Sequence, residues 1–554
     1  MFIWKIPYNR IASSVLFEEN KKGLSVFIWK GVCTDKIDIL KSLPGFPMWP
    51  DLELTTDYID IELDMNEYGQ RIFGLILPNI TGMYQFKIVT NYPCNSELWL
   101  STSLNPKKVE LIVKTIANTT LKESKKKYRS VSLESNRTYY FEILNLGHNM
   151  KGRDILSLYW RNSKDGDFEL IGPQYYSPYK MSKILQNKKL PCHKELDQKH
   201  ISQRNEIILY KKLENIFYSN ILPKCTNQSD EIISREVERF KGIWKINEIE
   251  IYNPNSNQDS FNDIPTMNEI EAKIITQKFI QTFVTVFQQF SLLILEKNID
   301  EVRENHYLLE AKVKLISSPN ISHYISQRFS IENGSLCLPA SSPNSTAFVH
   351  IVIIVKDQSR WIRYFFQNIN KIYKQTNDQQ FGVIIVDFNS VDMNMNYVMK
   401  HTLKIKHFSY ISVGGLFNKV RGQNLAIDSI KNPDDIIFTC DLHLDIPIGL
   451  IDSIRKHTIQ GFSVFAPIVR RLECGVIAFD GKGKWEIAGS GLISMYKSDW
   501  EIVGGMSTVF GFKWGGEDWE LVDRLLRIGY YINRLRIQGL VHYYHTREGS
   551  WYGL

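Results

Sequence analysis

Apolar positions along the chain change their period twice. Between about Lys22 and Tyr176 they fall in short runs, "LSVFIWKGV", "QRIFGLILPNITGMYQFKIVT", "SELWLSTS", "KVELIVKT", "TYYFEIL" and "ILSLYWR", separated by Gly, Pro and Asn. Short β-type runs broken at regular spacing by turn residues predict an all-β sandwich or a related barrel. From about Ser177 to Ser345 the chain is Lys/Asn-rich and less periodic. Its strongest apolar segment, "EAKIITQKFIQTFVTVFQQFSLLILEK", fits a helix or a strand, because its spacing favours neither period. "LCLPASSPNSTA", ending at Ala347, reads as a Pro/Ser boundary.

Beyond that boundary β and α patterns alternate. "FVHIVIIV" (Phe348 to Val355) is a near-continuous β-branched run, as a strand covered on both faces requires. "RWIRYFFQNINKIY" follows with helical spacing, then "FGVIIVDF", "GGLFNKVRGQNLAIDSI" and "DIIFTCDLHL". Buried strands alternating with helices predict a parallel sheet, with ligands beyond the carboxyl ends of the strands. The polar residues at those ends are Lys356 to Arg360, Asp387 to Ser390 and Asp441 to Asp445.

Three stretches carry candidate chemistry. In "IIFTCDLHLDIP", Asp441 and His443 alternate along a strand and so project to the same side. A carboxylate with an imidazole suits an Mn²⁺-like or Zn²⁺-like ion; a plain strand-end cap is the alternative. "GLVHYYHTREGSW" adds His542 and His545, whose spacing brings the rings together on a helical turn or a bent loop, unless they serve aromatic packing. "KWGGEDWELVDRLL" places Gly515, Gly516, Glu517 and Asp518 at the head of a helix. That helix carries Trp519, Val522 and Leu526 on one stripe, Leu521, Leu525 and Ile528 on another, and stops at Gly529. Acids in a first turn suit the helix N-terminus. Capping does not explain the glycine pair behind a tryptophan. Glycines let backbone approach a ligand closely, and an exposed Trp514 would offer a face to a sugar ring.

Composition narrows the classes. A chain of 554 residues exceeds one ordinary core, so about two to four domains are expected. With 43% hydrophobic and 23% charged residues it is a globular chain. A net charge of +7 from scattered basic residues does not point to nucleic acid, and "KESKKKYR" (Lys122 to Arg129) reads as a solvated loop. Seven cysteines without a CxxC pair argue against a structural zinc site, and the odd count leaves at least one thiol without an intrachain partner. N-x-S/T acceptors occur at Asn79, Asn118, Asn136, Asn227, Asn320, Asn333 and Asn344, and none follows. No apolar run is long enough to span a bilayer, and "MFIWKIPYNR" is neither a signal peptide nor an anchor.

On these motifs the first stretch resembles a PA14 domain, which implies a carbohydrate-binding or interaction module. The region from about Ala347 to Leu554 resembles GT-A glycosyltransferases of the chondroitin synthase and β1,4-galactosyltransferase clan. The matching segments are "KWGGEDWELVDRLLRIGY", "HYYHTREGSW", "VIIVDFNSVDM", "FTCDLHLDIPIGLIDSIRKH" and "GSGLISMYKSDWEIVGGM". The whole chain resembles β1,4-N-acetylgalactosaminyltransferases of the type 3/type 4 class. The resemblance implies a multidomain protein: a PA14-like β-sandwich over 20–176, a stem of uncertain fold over 177–345, and an α/β GT-A catalytic domain over 346–554. It implies an inverting, Mn²⁺-dependent enzyme that moves GalNAc from UDP-GalNAc to a terminal β-GlcNAc on a glycoprotein glycan. It also implies the Golgi lumen and a Golgi membrane anchor; a sequence lacking its natural N-terminus accounts for the anchor's not being seen. A chondroitin-type transferase, or a carbohydrate-binding protein without catalysis, would be the alternatives.

Position by position, Trp514 matches the clan's mobile-loop tryptophan, with Gly515 and Gly516 behind it. Glu517 and Asp518 match its Glu-Asp pair, whose aspartate is the general base. Asp441 and His443 fall on its D-x-D motif with histidine for the second acid. His545 falls on a late metal-ligand histidine, and His542 on a residue that also faces the metal. Trp519 stands where the galactosyltransferases carry a third acid that helps grip the acceptor. Beside the resemblance, Arg360 and Arg421 near strand ends are candidates for phosphate, and Asp387 for the uridine.

Overall fold

The computed structural model describes residues 23–59, 63, 65, 67–90, 95–115, 128–147, 155–162, 166–179, 221–226, 239–240, 243–244, 246–254, 263–299, 305–478, 482–511 and 515–546. The starting segment, Lys122 to Lys127, Asn118, Asn227 and Trp514 lie outside them.

In the first region two antiparallel sheets face each other. One runs Leu52–Thr56, Leu24–Lys30, Tyr68–Ile76, Tyr139–Gly147, Ser96–Ser101, Val109–Thr115, and the other Glu169–Leu170, Leu156–Arg161, Gly82–Thr90, Ser130–Leu133. Alternation sorts the side chains. Leu24, Val26 and Ile28 meet Tyr84, Phe86 and Trp160 across the sandwich, while Phe27 and Trp29 pack with Phe46 and Phe73 on the outer face.

The ambiguous middle segment proves to be both elements in turn. Helix Glu269–Thr282 starts at Asn268, whose side chain accepts from Ile270 N and Glu271 N, and strand Phe287–Asn298 follows. Phe279, Phe283 and Phe287 then share one core with Phe329. That strand belongs to a five-stranded antiparallel sheet, ordered Glu250–Tyr252, Phe287–Asn298, His306–Leu315, Ser318–Glu332, Ser335–Cys337.

The last region is built on a seven-stranded sheet ordered His407–Ser412, Phe381–Asp387, Val349–Val355, Ile436–Thr439, Ile493–Tyr496, Ser463–Phe465, Tyr531–Asn533. The first four strands are parallel, so their carboxyl ends share one edge. Odd residues Val349, Ile351, Ile353 and Val355 pack with Ile362, Phe365 and Ile369 of helix Ser359–Thr376. The even residue Val352 packs on the opposite face with Val420 and Ala426 of helix Lys419–Asp428. Each such buried side chain contributes about 1.5–3 kcal/mol, which is why these strands are apolar on both sides and chemistry is left to their ends. A four-stranded sheet, Leu444–Asp445, Arg536–His542, Ile468–Arg471, Lys484–Trp485, lies alongside.

Disulfides Cys33–Cys474 and Cys225–Cys337 join distant segments, and Cys440 is a buried free thiol. Among the described residues no helix is long and apolar enough to cross a membrane.

Candidate metal and transfer site

After strand Ile436–Thr439 the chain turns, and Leu444–Asp445 pairs antiparallel with the end of Arg536–His542, setting Leu444 opposite His542. Tyr543 N donates to His443 O at 2.8 Å. This register delivers His443 to His542 and to the loop that carries His545. The ligand atoms of the three histidines lie within 4.8 Å of one another, and the rings of His443 and His545 stack with centroids 3.7 Å apart. His542 ends a strand and His545 follows it in irregular backbone, so a bent loop brings them together rather than a helical turn.

Burial, then the neighbouring His545 and His542, hold His443 well below the ordinary histidine value. Burial likewise takes His542 down to about 3, against the opposing pull of Asp441. His443 and His542 are therefore neutral, the form that binds metal. Nδ1 of His542 meets Tyr543 O at 2.9 Å, and Nδ1 of His545 meets Thr546 O at 3.1 Å. A carbonyl only accepts, so these contacts place the proton on Nδ1 and leave Nε2 with its lone pair. His443 Nε2 faces Gln358 Oε1 at 3.2 Å. Three clustered imidazoles beside a carboxylate fit a borderline divalent cation.

Asp441 adjoins this cluster and is turned toward Lys419, whose Nζ is 3.8 Å away. Burial pushes the Asp441 carboxyl up, but Lys419, His542, Arg471 and His545 together hold it below the usual range. The same Nζ is 3.5 Å from Glu517 Oε1. Burial would lower the Lys419 ammonium, yet Asp441, Glu517 and Asp518 outweigh it and hold it above its ordinary value. One cation thus joins the histidine cluster to the Glu517–Asp518 pair.

Gly516 precedes helix Glu517–Arg527 at φ 96°, in the left-handed region, and gives no side-chain cap. Gly515 has φ 97°, and a Cβ there would meet open space, so its backbone is exposed. Glu517 is buried at 6% exposure, whereas Asp518 Oδ2 accepts from Ser490 N at 2.8 Å. Trp519 was placed on an apolar stripe by its spacing, yet it stands 42% exposed while Leu521 and Val522 are buried.

The other candidates have partners of their own. Arg360 is 4% exposed; its Nη1 donates to Asp51 at 2.6 Å and its Nε to Pro44 O, which ties the first sheet region to the last, and it lines one cavity with Gln358 and His545. Asp387 is 2% exposed and accepts from Ser390 N, Ser390 Oγ and Tyr410 OH. It closes a strand end. Arg421 is exposed near the start of its helix, with Nη1 3.3 Å from Gly414 O. Gln358 falls within the strand-end stretch Lys356 to Arg360, whereas Lys419 and Ser490 were not singled out from sequence.

Residues 276–550 match the family model described as chondroitin N-acetylgalactosaminyltransferase. The chain is 35% identical over 292 residues to N-acetyl-beta-glucosaminyl-glycoprotein 4-beta-N-acetylgalactosaminyltransferase 1 of Mus musculus, covering 48% of this chain and 28% of that protein. It is 22% identical over 225 residues to chondroitin sulfate N-acetylgalactosaminyltransferase 1 of Homo sapiens, covering 37% of this chain and 42% of that one. It therefore spans less than half the length of these curated relatives. Among solved structures, the catalytic domain of Drosophila beta1,4galactosyltransferase 7 aligns with 36% of this chain and 72% of its own at 14% identity and a TM-score of 0.25. Residues 276–550 are thus similar to the chondroitin N-acetylgalactosaminyltransferase family.

Proposed function

We propose that this chain is an inverting β1,4-N-acetylgalactosaminyltransferase that moves GalNAc from UDP-GalNAc to a terminal β-GlcNAc of a glycoprotein glycan. The acceptor is suggested by the name of the mouse relative. In this reading the last region, 346–554, is a GT-A catalytic domain, 177–345 is a stem, and the sandwich over 20–176 is PA14-like. The observation that carries the reading is the continuity from His443, His542 and His545 through Asp441 and Lys419 to Glu517 and Asp518. A cation-holding end and a proton-accepting end share one site.

His443, His542 and His545, with Asp441 beside them, would hold Mn²⁺, which when bound supplies positive charge to a diphosphate leaving group. The protein's own residues do the rest. Ser490 N–H orients the Asp518 carboxylate, which takes the proton of an acceptor hydroxyl as that oxygen attacks the anomeric carbon. A single base with direct displacement turns an α-linked donor into a β-linked product. Lys419 holds Glu517 and Asp441 in register on either side of it. Two disulfides suit an oxidising compartment, which supports the Golgi lumen as the place of action.

The test is incubation with UDP-GalNAc and Mn²⁺, offering a GlcNAc-β glycoside and, separately, a glucuronate-ended chondroitin oligosaccharide. Transfer of β-linked GalNAc to the glycoside is the expected result; no transfer to either acceptor, or an α-linked product, would refute the proposal. The family's own description favours the chondroitin-type acceptor as a second reading, and preference for the glucuronate-ended chain would select it.

A further inference from the structure

We propose that Trp519 is the platform on which the acceptor sugar lies, and that it selects a gluco-configured pyranose. The inference rests on the transferase reading, because it takes Asp518 as the base. Trp519 sits in the first turn of helix Glu517–Arg527. At 42% exposure it keeps a large apolar face in water, where Val522 and Leu526 of the same stripe are buried. The ring is nonetheless held: its Nε1–H donates to Ala488 O at 3.0 Å.

The same loop holds the base. Asp518 Oδ2 accepts from Ser490 N at 2.8 Å, two residues beyond Ala488, so the two anchor points lie at most about 7 Å apart. Beneath the loop, Arg534 is 2% exposed; its Nη2 donates to Ile487 O at 2.7 Å and its Nη1 to Ser490 Oγ at 3.2 Å. Indole and carboxylate are thus fastened to one short strip of backbone that a buried guanidinium keeps in place. Ile487, 52% exposed, extends the apolar surface beside them.

A pyranose matches this spacing. Ring C–H groups make a favourable contact with an aromatic face, and a gluco-configured ring carries C–H groups on both faces because its hydroxyls are equatorial. Its 4-hydroxyl lies in the ring plane, so a ring lying flat on the indole extends that hydroxyl sideways toward Asp518. In the galacto epimer the same hydroxyl is axial and leaves the plane. Trp519 therefore recognises the acceptor and leaves the donor alone.

The test uses the full chain, Trp519→Ala and Trp519→Phe, with melting curves on each to confirm folding. Trp519→Ala should raise the KM for a GlcNAc-β glycoside about tenfold, the order expected for a lost aromatic contact. The KM for UDP-GalNAc and the rate of UDP-GalNAc hydrolysis without acceptor should stay unchanged. Trp519→Phe should stay within about threefold of the parent. The parent should prefer the glycoside over its 4-epimer, and Trp519→Ala should lose much of that preference. Saturation-transfer NMR with the glycoside alone separates the two proposals. Binding by the parent that Trp519→Ala abolishes, with no transfer by either, supports the platform and refutes the transferase. Transfer by the parent with an unchanged acceptor KM in Trp519→Ala overturns the platform alone, as does a proportional rise in both KM values.

Discussion

Replacing Lys419 by methionine removes the ammonium that stands between Asp441 and Glu517. Its Nζ lies 3.8 Å from one carboxylate and 3.5 Å from the other, with Asp518 adding to the same field. The side chains of Lys419 and Glu517 are only 18% and 7% exposed, so water compensates little. At an effective dielectric near 20, each contact carries about 4–5 kcal/mol of gross attraction, most of it offset by desolvation. Removing one partner of a buried pair then costs about 3–5 kcal/mol, because the remaining charge stays buried. Among the described residues Glu517 Oε2 is buried without a hydrogen-bond partner, so none of them softens the loss. Asp441 also sets the direction of the pH dependence. In the parent its carboxyl is held below the usual range, so its stabilising contribution is present above the unfolded value and fades as pH falls through the lowered one. Without Lys419 the counter-charge to burial is gone, and the variant's deficit should be largest at pH 8 and shrink toward pH 5. Urea unfolding of parent, Lys419→Met and Lys419→Arg in metal-free buffer at both pH values checks this, with Lys419→Arg recovering much of the loss. A deficit for Lys419→Met below about 1 kcal/mol at pH 8, or one equal at both pH values, would refute the reasoning.

Asp518→Asn should leave UDP-sugar binding largely intact and cut turnover at least about a hundredfold; near-normal turnover removes Asp518 as the base. His443→Ala should weaken divalent-ion binding in a calorimetric titration, since His443 supplies one of three clustered imidazoles; an unchanged isotherm contradicts the assignment. Asp51→Ala strands the 4% exposed Arg360 guanidinium and should cost about 3–5 kcal/mol, visible as a lowered thermal midpoint, with Asp51→Asn costing less. Cys33→Ser with Cys474→Ser opens the link between the first and last regions and should lower stability by about 2–5 kcal/mol; an unchanged denaturation midpoint would show that packing alone holds the regions together.

What the sequence determined by itself is local. "FVHIVIIV" had to be a strand covered on both faces, because odd and even residues alike are apolar and each set found a core. The runs from Leu24 to Arg161 declared their strands through turn residues and alternation. The segment from Glu271 to Lys297 resisted assignment because a helix and a strand share its apolar content, and the break at Phe283 shows only once Phe279, Phe283 and Phe287 converge on Phe329. Asp441, His443, His542, His545, Glu517 and Asp518 were legible as candidates because they are polar residues near element ends.

Tertiary structure decided which of them meet. His443 reaches His542 through the register of a two-residue strand, a pairing no short-range pattern encodes. Lys419 joins Asp441 to Glu517 because three separate elements end at one sheet edge. Arg360 had the credentials of a phosphate ligand by position, but an acid 309 residues earlier in the chain claimed it. Trp519 shares a helical stripe with the buried Val522 and Leu526 and yet stands on the surface. Periodicity reports how a segment buries itself against its nearest layer; the partner of a charge or an indole is set by long-range packing, whose energies exceed any local preference.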